Sequence, residues 1–399
     1  MTRDISRRSF MAASVAGAGL VANAQNAAAP DKPIQGFDDK GAAPASSKPW
    51  TPISDRKIRM GIVGYGVCKF GTQFGLQNHP NVEVVAVSDL FPDRCAELAK
   101  LCKCEKSYPS LEELVKDDKV EAVFCATDAA GHCRHAVEVL KHGKHVATAV
   151  PAVWGSLEDA QTLYDTVKAS GLIYMMFETS AYHDDCFAMR AIYNAGGFGK
   201  LIYSEGEYYH YLDKPIDSYK GWRIGCPPLW YPTHSTAYHT AVSGGSFTEV
   251  SCLGMPSELV DFKDANNAYK NPFASEIALF RTSEGGMSRM LMCKDTPGHG
   301  GEVGRVRGEK GSMAGMNYDG LVDISKLDLS KPQLPPNVDA GGHGGSHGYL
   351  GNEFVSSILE NRRPLVDIVS ALNMTVCGIV AHESAMKGGE LLKIPQYKL

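Results

Sequence analysis

Two closely spaced glycines at the end of an apolar run are suited to binding the phosphates of a dinucleotide. Gly64 and Gly66 end the segment IRMGIVGYG. Such glycines permit a tight turn and let backbone N–H groups approach a pyrophosphate at the start of the next helix. Lys69 stands at the usual place of a third glycine and Gly71 lies two residues on, so the close packing of helix on strand must be achieved differently. The predicted phosphate-binding residues are Gly64, Gly66, Val67 and Cys68.

An acidic residue ends the next apolar run, EVVAVSD, at the position where a ribose would bind. The Asp89 carboxylate can accept hydrogen bonds from the ribose hydroxyls. It favours tightly bound NAD over NADP, because a carboxylate repels the 2′-phosphate of NADP. Arg94 is near enough to contact the adenine or a phosphate, and it is the residue that would admit NADP. The alternative interpretation is a Rossmann-like unit that has lost its ligand.

A tyrosine and a histidine in the segment YPTH are candidates for proton transfer. His234 has an ordinary pKa near neutrality, and Tyr231 precedes it by three residues. NAD takes hydride from a sugar C–OH, and the ketone formed acidifies the neighbouring C–H. Elimination of the glycosidic group, addition of water and return of the hydride would cleave a glycoside without net redox change or a carboxylate pair. Alternatively, YPTH is a loop or helix entry in which His234 bonds to backbone.

Three further groups of polar residues are candidates for the functional site. Tyr182 follows the run LIYMMFE directly, which places it at the ligand end of a parallel sheet, and we assign it a catalytic role. His183 and the two aspartates after it are typical of a solvated helix start. His343 and His347 lie in a glycine-rich run that suits close approach to a cofactor or sugar. Metal binding is the alternative for both histidine groups, and we predict no metal.

The elements that must position these residues alternate between apolar strands and helices. The strand-like runs are IRMGIVGYG, VVAVSD, VEAVFCAT, KHVATAVPA and LIYMMFE. Ser110 and Ser156 are predicted N-caps of helices, and another helix runs from His132 to Gly143. This alternation predicts an α/β fold in which residues 56–180 form a Rossmann domain, a doubly wound parallel sheet with ligands at the carboxyl ends of its strands.

Beyond about Gly199 the pattern changes to alternating strands. The runs are LIYSEGEYYHY, SELVDF, EIALFRT, SRMLMCK and GRVRGEKGSM, with a turn at 283–286. They predict that residues 181–399 form an α+β domain with an open antiparallel sheet. The first domain or another subunit must cover its apolar face, so we expect a homo-oligomer. Helices from about Tyr349 and Ile368 return the chain to the first domain.

The N-terminal segment has the pattern of a twin-arginine export signal. Arg7 and Arg8 precede an Ala/Gly/Val stretch with small-residue cleavage sites; a chance Arg-Arg pair is the alternative. We predict a signal peptide over residues 1–30, a linker over 31–55, and a periplasmic or otherwise exported protein. No later stretch is expected to span a bilayer. The formal net charge of -5 and the absence of a long basic stripe argue against a nucleic acid partner.

The first-domain motifs resemble those of the glucose-fructose oxidoreductase and inositol dehydrogenase (Gfo/Idh/MocA) family. The resemblance rests on IRMGIVGYG, VVAVSD, VFCATDAAGHCRHAVEVLKHGKHV and the following strand that ends in proline. It implies that Thr127 and His132 lie against the nicotinamide end of the cofactor. Ala149 and Val150 stand where family dehydrogenases carry Glu-Lys. Because valine cannot transfer a proton, the ordinary mechanism of alcohol dehydrogenation does not carry over.

One branch of that family, the exported NAD-dependent α-N-acetylgalactosaminidases, is similar at further positions. Its members carry valine before the same proline, and they have counterparts of Glu178, Tyr182, the YPTH segment and the glycine-histidine run 341–345. The resemblance implies that Tyr182, Tyr231 and His234 contact the sugar. It also places Glu178 in the substrate site and lets Arg223 bind a hydroxyl or carboxylate. An alanine at 149 replaces that branch's glutamate, which leaves the substrate open.

Together these patterns predict an exported two-domain enzyme that holds NAD tightly and acts on a sugar or glycoside by hydride transfer at a ring carbon. Redox-neutral glycoside cleavage is the preferred interpretation. The alternatives are a net sugar dehydrogenase or aldose oxidoreductase, and a non-catalytic sugar-binding protein that retains NAD.

Overall fold

Residues 48–398 are described by a computed structural model, and they contain two β-sheets. The predicted signal peptide and most of the predicted linker lie outside the described residues.

The first sheet has six parallel strands in the order β3-β2-β1-β4-β5-β6. Its strands are β1 (Ile58–Val63), β2 (Val82–Ser88), β3 (Ser107–Tyr108), β4 (Ala122–Cys125), β5 (His145–Thr148) and β6 (Tyr174–Met176). The central strands β1 and β4 are almost entirely buried and apolar, which suits a parallel sheet covered on both faces. The predicted doubly wound sheet is confirmed. Its strand order reverses between β1 and β4, and ligands of such sheets bind at that point.

The helices around this sheet are α1 (Phe70–Gln73), α2 (Pro92–Cys102), α3 (Leu111–Leu114), α4 (His132–Lys141) and α5 (Leu157–Ser170). Two of them, α3 and α5, begin at a side-chain cap. Ser110 Oγ accepts a hydrogen bond from the Glu113 N–H at 3.4 Å, and Ser156 Oγ accepts one from the Asp159 N–H at 3.0 Å. Both predicted N-caps are therefore confirmed.

The second sheet has eight strands in the order β13-β12-β11-β7-β10-β9-β8-β14. Its strands are β7 (Leu201–Tyr209), β8 (Phe247–Pro256), β9 (Phe273–Thr282), β10 (Met287–Cys293), β11 (Gly301–Gly308), β12 (Gly311–Ala314), β13 (Asn317–Gly320) and β14 (Leu392–Lys393). All neighbouring strands are antiparallel except β7 and β10, which run parallel. The prediction of SELVDF as a strand is wrong: β8 ends at Pro256, which cannot donate a ladder hydrogen bond.

Four helices belong to this second half: α6 (Asp184–Asn194), α7 (Thr233–Ser243), α8 (His347–Glu360) and α9 (Ile368–Met386). The α9 helix contacts both halves of the chain. Thr375 Oγ1 accepts a hydrogen bond from the Ala152 N–H at 3.4 Å, and Thr236 Oγ1 on α7 donates to the Met374 carbonyl at 2.9 Å. These contacts fix α7, which carries His234, against the first sheet.

The expectation that no later stretch could span a bilayer requires a correction at α9. This helix is 19 residues long with a mean hydropathy of 1.2, enough by length and composition to cross a membrane. However, 83% of it is buried inside the protein. Its apolar surface is accounted for by packing in the core.

Candidate active site

The turn after β1 has the backbone geometry that phosphate binding requires. Gly64 has φ +98°, and a Cβ there would lie 2.4 Å from the Ala126 carbonyl oxygen, so a side chain does not fit. A Cβ on Gly66 would meet nothing within 4 Å, which leaves open space beside the backbone. Gly71 provides the close helix-strand packing of a displaced third glycine, because a Cβ there would lie 2.6 Å from the Gly64 carbonyl oxygen.

Asp89 directly follows β2 and joins this turn to the start of α2. Its Oδ2 accepts a hydrogen bond from the Tyr65 N–H at 2.6 Å, and its Oδ1 accepts one from the Phe91 N–H at 2.9 Å. Each carboxylate oxygen has a second lone pair for a ligand. The Arg94 guanidinium lies over the Phe91 ring, 4.5 Å from the ring centroid. Both predicted ribose-end residues therefore flank one opening.

A cavity of about 620 Å³ lies at the carboxyl ends of the first-sheet strands. We call it the cofactor cavity. Its volume is in the range of small-molecule sites, about 300–1,000 Å³. All eight predicted cofactor-binding residues line it: Gly64, Gly66, Val67, Cys68, Asp89, Arg94, Thr127 and His132. The open space at Gly66, the Asp89 carboxylate and the volume of the cavity together fit a dinucleotide such as NAD.

A segment from the second half of the chain also lines the cofactor cavity. This cover segment, residues 217–223, contributes among others Tyr219, Trp222 and Arg223 to the lining. The Tyr219 ring meets the Phe91 ring edge to face, with 6.2 Å between centroids. The cavity is therefore bounded by residues from both halves of the chain.

Thr127 and His132 lie deep in the cofactor cavity and belong to one hydrogen-bonded group. The two ring nitrogens of His132 face the carbonyl oxygens of Pro151 at 2.8 Å and Thr127 at 3.2 Å. Burial lowers the pKa of His132, so the neutral ring donates to one of them. Thr127 Oγ1 lies 2.8 Å from His135 Nδ1. These contacts fix the chain between β4 and α4, which favours a positioning role for His132.

Ala149 and Val150 line the cofactor cavity at the place where the resemblance would put glutamate and lysine. Neither side chain can carry a proton. This position therefore cannot supply the proton-transfer group.

His234 is the buried acid-base group that the second half supplies. It lies in the first turn of α7, its Nδ1 donates to Glu178 Oε1 at 2.8 Å, and Glu302 Oε1 lies 3.6 Å away. Burial alone would lower the pKa of His234, but the Glu178 and Glu302 carboxylates outweigh it and raise the pKa to about 9. The ring is therefore charged at neutral pH. The ordinary pKa of histidine lies near neutrality, and the sequence did not reveal the two carboxylates that raise the pKa of His234.

A second cavity, of about 40 Å³, opens beside His234. We call it the side cavity. Its polar lining residues are Tyr208, His210, Arg223, Tyr231, His234, Asp261, Lys294 and His343. Trp222, Arg223 and Tyr231 line both cavities. The predicted residues Tyr231, His234 and Arg223 are thus brought together where the two cavities meet.

Two predicted site residues need correction. Tyr182 lies in the lining of neither cavity: its ring stacks on Tyr349 with 6.1 Å between centroids, and burial raises its pKa. Its catalytic assignment is therefore not retained. Glu178 was predicted to bind substrate, but it is fully buried and accepts hydrogen bonds from His234 and the Ser180 N–H. Glu178 acts through His234, as a positioning residue.

His210 and Lys294 of the side cavity were not predicted. They belong to EYYHY and SRMLMCK, segments that the sequence predicted as strands. A polar residue on an otherwise apolar strand was the available signal for Lys294. Glu302 has no comparable local signal, because it is brought close to His234 by the pairing of β11 with β7. The prediction of no metal stays a prediction, because Glu178, His234 and Glu302 bring three ligand-type atoms within 4.8 Å of one another.

The His234 pair predicts a pH dependence of stability. The pKa of His234 rises from 6.5 to about 9 on folding, so its contribution is complete below pH 6.5 and is lost as the pH rises through about 9. Burial opposes the charge on Glu178, but His234 lowers the pKa of this carboxyl below its ordinary 4.5, so its contribution is lost at low pH. The Tm advantage of the protein over His234→Gln should therefore be largest between pH 4.5 and 6.5 and shrink towards pH 9. Thermal unfolding across this range measures it; an advantage that grows above pH 7 would contradict the assignment.

Comparisons with known proteins agree with this architecture. Residues 58–178 match the family model described as an oxidoreductase family with an NAD-binding Rossmann fold, Gfo/Idh/MocA. A "glycosyl hydrolase family 109 protein" of Solibacter usitatus is 24% identical over 85% of this chain and 88% of its own length. A "glycosyl hydrolase family 109 protein 3" of Phocaeicola vulgatus is 32% identical over 41% of this chain and 31% of its own length.

Solved structures with the same fold include a levoglucosan dehydrogenase and a scyllo-inositol dehydrogenase. Levoglucosan dehydrogenase, in complex with NADH and levoglucosan, has a TM-score of 0.68 at 16% identity, covering 86% of this chain and 100% of the other. The scyllo-inositol dehydrogenase of Lactobacillus casei has a TM-score of 0.66 at 16% identity, covering 85% and 99%. At such identity the likeness establishes the fold. Residues 58–178 of this chain therefore match the NAD-binding Rossmann domain of the Gfo/Idh/MocA oxidoreductase family.

Proposed function

We propose that the protein is an NAD-dependent enzyme that acts on a carbohydrate by hydride transfer at a ring carbon, with redox-neutral cleavage of a glycoside as the net reaction. The observation that carries the proposal is the junction of the two cavities. There Tyr231 and Arg223 border the cofactor cavity, and the charged His234 lines the side cavity next to them. A sugar at the junction would have one face towards the cofactor and the other towards proton-carrying groups.

The residues of the junction divide the proton chemistry between them. When bound, NAD supplies reversible removal of hydride from a C–OH carbon. His234 is charged and its Nδ1 is held by Glu178, so its Nε2 can donate a proton to an oxygen of the sugar. Burial, together with Arg223 and Lys294, lowers the pKa of His210 to about 4. His210 is therefore a neutral imidazole of the same cavity at pH 7.

The names of the relatives favour cleavage over net dehydrogenation. The two relatives described above are called glycosyl hydrolases. Ala149 and Val150 leave the cofactor cavity without the lysine of an ordinary dehydrogenase of this family. A sequence of oxidation, elimination, water addition and reduction needs an acid for the leaving oxygen, and the charged His234 suits that role.

The test uses purified protein loaded with NAD, with no further cofactor added. Sugars and aryl glycosides of both anomeric configurations are supplied, while aglycone release and the absorbance of the bound nicotinamide are followed together. Aglycone release with no lasting reduction supports glycoside cleavage. Stoichiometric reduction without aglycone release would instead identify a net sugar dehydrogenase or oxidoreductase. No reduction and no release with any sugar would leave only a binding protein and defeat the proposal.

The proposed cofactor is NAD rather than NADP, because the Asp89 carboxylate faces the cavity. Asp89→Asn should weaken NAD binding by about tenfold, the loss expected for one hydrogen bond to a charged group. It should also reduce the discrimination against NADP. Asp93→Asn, exposed on α2 and outside the cavity lining, is the matched control. Calorimetric titration with both dinucleotides measures the change, and full retention of NAD affinity by Asp89→Asn would remove the ribose assignment.

We also propose that the protein forms a homo-oligomer through the open face of the second sheet. Alternating residues of its strands leave large apolar side chains exposed on that face: Ile202, Leu253, Met255, Ile277, Leu279, Met287 and Val303. An apolar surface of this kind marks an interaction site. Leu279→Glu should therefore lower the molar mass measured by light scattering, whereas Leu101→Glu on α2 should not. An unchanged mass for Leu279→Glu, or a monomeric parent protein, would contradict the proposal.

A further inference from the structure

The side cavity is the size of a substituent rather than of a sugar ring. At about 40 Å³ it has room for roughly three water molecules, since one needs at least about 10–15 Å³ measured in this way. A sugar ring must therefore lie at the junction with the larger cofactor cavity. Only a group attached to the ring can enter the side cavity.

Two cations border this small space without a carboxylate partner. Lys294 is 6% exposed, and its Nζ donates to the carbonyl oxygen and the Sγ of Cys226 at 3.2 and 2.9 Å. Arg223 lies over the Trp222 ring, 4.1 Å from its centroid. Among residues 48–398, no acidic group forms an ion pair within 4.0 Å of Lys294 or Arg223. Asp261 also lines the cavity, and it is the only acidic residue to do so.

A buried ammonium group with only neutral partners is costly, because its lost hydration is not replaced by an opposite charge. The hydrogen bonds that the Lys294 ammonium donates to the carbonyl oxygen and the sulfur of Cys226 provide no opposite charge from a carboxylate. His234, the third cation of the cavity, differs in this respect, since Glu178 and Glu302 balance it. An anion seated between Lys294 and Arg223 would supply the missing charge.

The cofactor's phosphates are not that anion. Gly64 and Gly66 offer the pyrophosphate its place at the start of the first helix, and Lys294 does not line the cofactor cavity. Arg223 lines both cavities, so it would be next to a sugar bound at their junction.

We propose that the side cavity receives an anionic substituent of the sugar, a carboxylate or a sulfate ester, between Arg223 and Lys294. The inference rests on the proposed action on carbohydrates and narrows it to acidic sugars. The guanidinium presents paired N–H donors that match the oxygens of either group, and the ammonium closes the other side. The substrate class is therefore uronic acid or sugar sulfate residues, rather than neutral sugars.

The test measures binding by calorimetry to the NAD-loaded protein, so that it does not depend on turnover. The ligands are matched sets: D-glucuronate, D-glucose 6-sulfate and D-glucose, and D-galacturonate, D-galactose 6-sulfate and D-galactose. At least one acidic sugar should bind about tenfold or more tighter than its neutral parent. Whether the uronate or the sulfate binds more tightly shows which anionic substituent the side cavity receives.

The variant Lys294→Met should bind the acidic sugar no more tightly than its neutral parent. Methionine has a similar length and removes a buried charge, so the Tm of the free variant should not fall. Lys310→Met, an exposed lysine beside β11, is the control and should keep the preference. Acidic sugars that bind no tighter than their parents, or a preference that survives Lys294→Met, would overturn the inference alone. A protein that binds neither acidic nor neutral sugars would overturn the proposed function as well.

Discussion

Replacing His234 with glutamine is expected to reduce turnover by about 10²–10⁴-fold, the usual contribution of a positioned acid-base group, with NAD still bound. The reason is that His234 is the charged group at the junction of the two cavities. Burial opposes that charge, but Glu178 and Glu302 hold its pKa at about 9. Glutamine can still donate a hydrogen bond to Glu178, but it cannot release a proton. The rate of aglycone release or of nicotinamide reduction with the best sugar measures the loss.

A matched control lies on the same helix. His239 is also buried on α7 and also faces a carboxylate, Glu284, at 3.2 Å. It lines neither cavity, so His239→Gln should retain most of the turnover. Retained cofactor in both variants, checked by absorbance after gel filtration, excludes general unfolding. If His234→Gln kept the rate of the parent protein, the proton-transfer assignment would fall.

The second large effect is expected from two glycine substitutions that separate folding from cofactor binding. At Gly64 the backbone has φ +98° and a Cβ would lie 2.4 Å from the Ala126 carbonyl oxygen. Gly64→Ala should therefore destabilise the folded protein, by about 1–2 kcal/mol for the backbone conformation alone, and the contact adds to that cost. A Cβ at Gly66 would meet no protein atom within 4 Å. Gly66→Ala should leave the Tm unchanged.

The Gly66→Ala substitution should affect NAD affinity rather than stability. The open space beside Gly66 is where a pyrophosphate approaches the backbone, so Gly66→Ala should lower NAD affinity with the fold intact. Thermal unfolding without cofactor and calorimetric titration with NAD provide the two measurements. A Gly66→Ala variant with normal NAD affinity would show that the dinucleotide does not lie against this turn.

The cofactor cavity was predictable because its residues are close in sequence. Short stretches of sequence were enough to predict the turn from Gly64, the carboxylate of Asp89 and the caps of α3 and α5. The displaced glycine shows the limit of such patterns. Gly71 lies two residues beyond the usual place of a third glycine, and the short helix that begins at Phe70 brings it against the Gly64 carbonyl.

The substrate side was harder to predict, because it is assembled from residues far apart in the chain. His234 was identified from its residue type, but its charge depends on two carboxylates that are distant in sequence. Glu178 lies 56 positions before it, and Glu302 lies on β11. Local sequence placed Tyr182 at the ligand end of β6, whereas the 3-10 turn after that strand directs its ring onto Tyr349. Lys294 has no local signal beyond its charge, since its surroundings come from the pairing of β10 with strands distant in sequence.

The cover segment has a kinetic consequence for the cofactor. It comes from the second half of the chain, and Tyr219 meets Phe91 across the opening. Because this contact narrows the opening, we expect it to slow the dissociation of a bound dinucleotide. Because Arg223 belongs to the same segment, a sugar held by that residue would keep the exit shut, so the cofactor should exchange more slowly in the presence of substrate than in its absence.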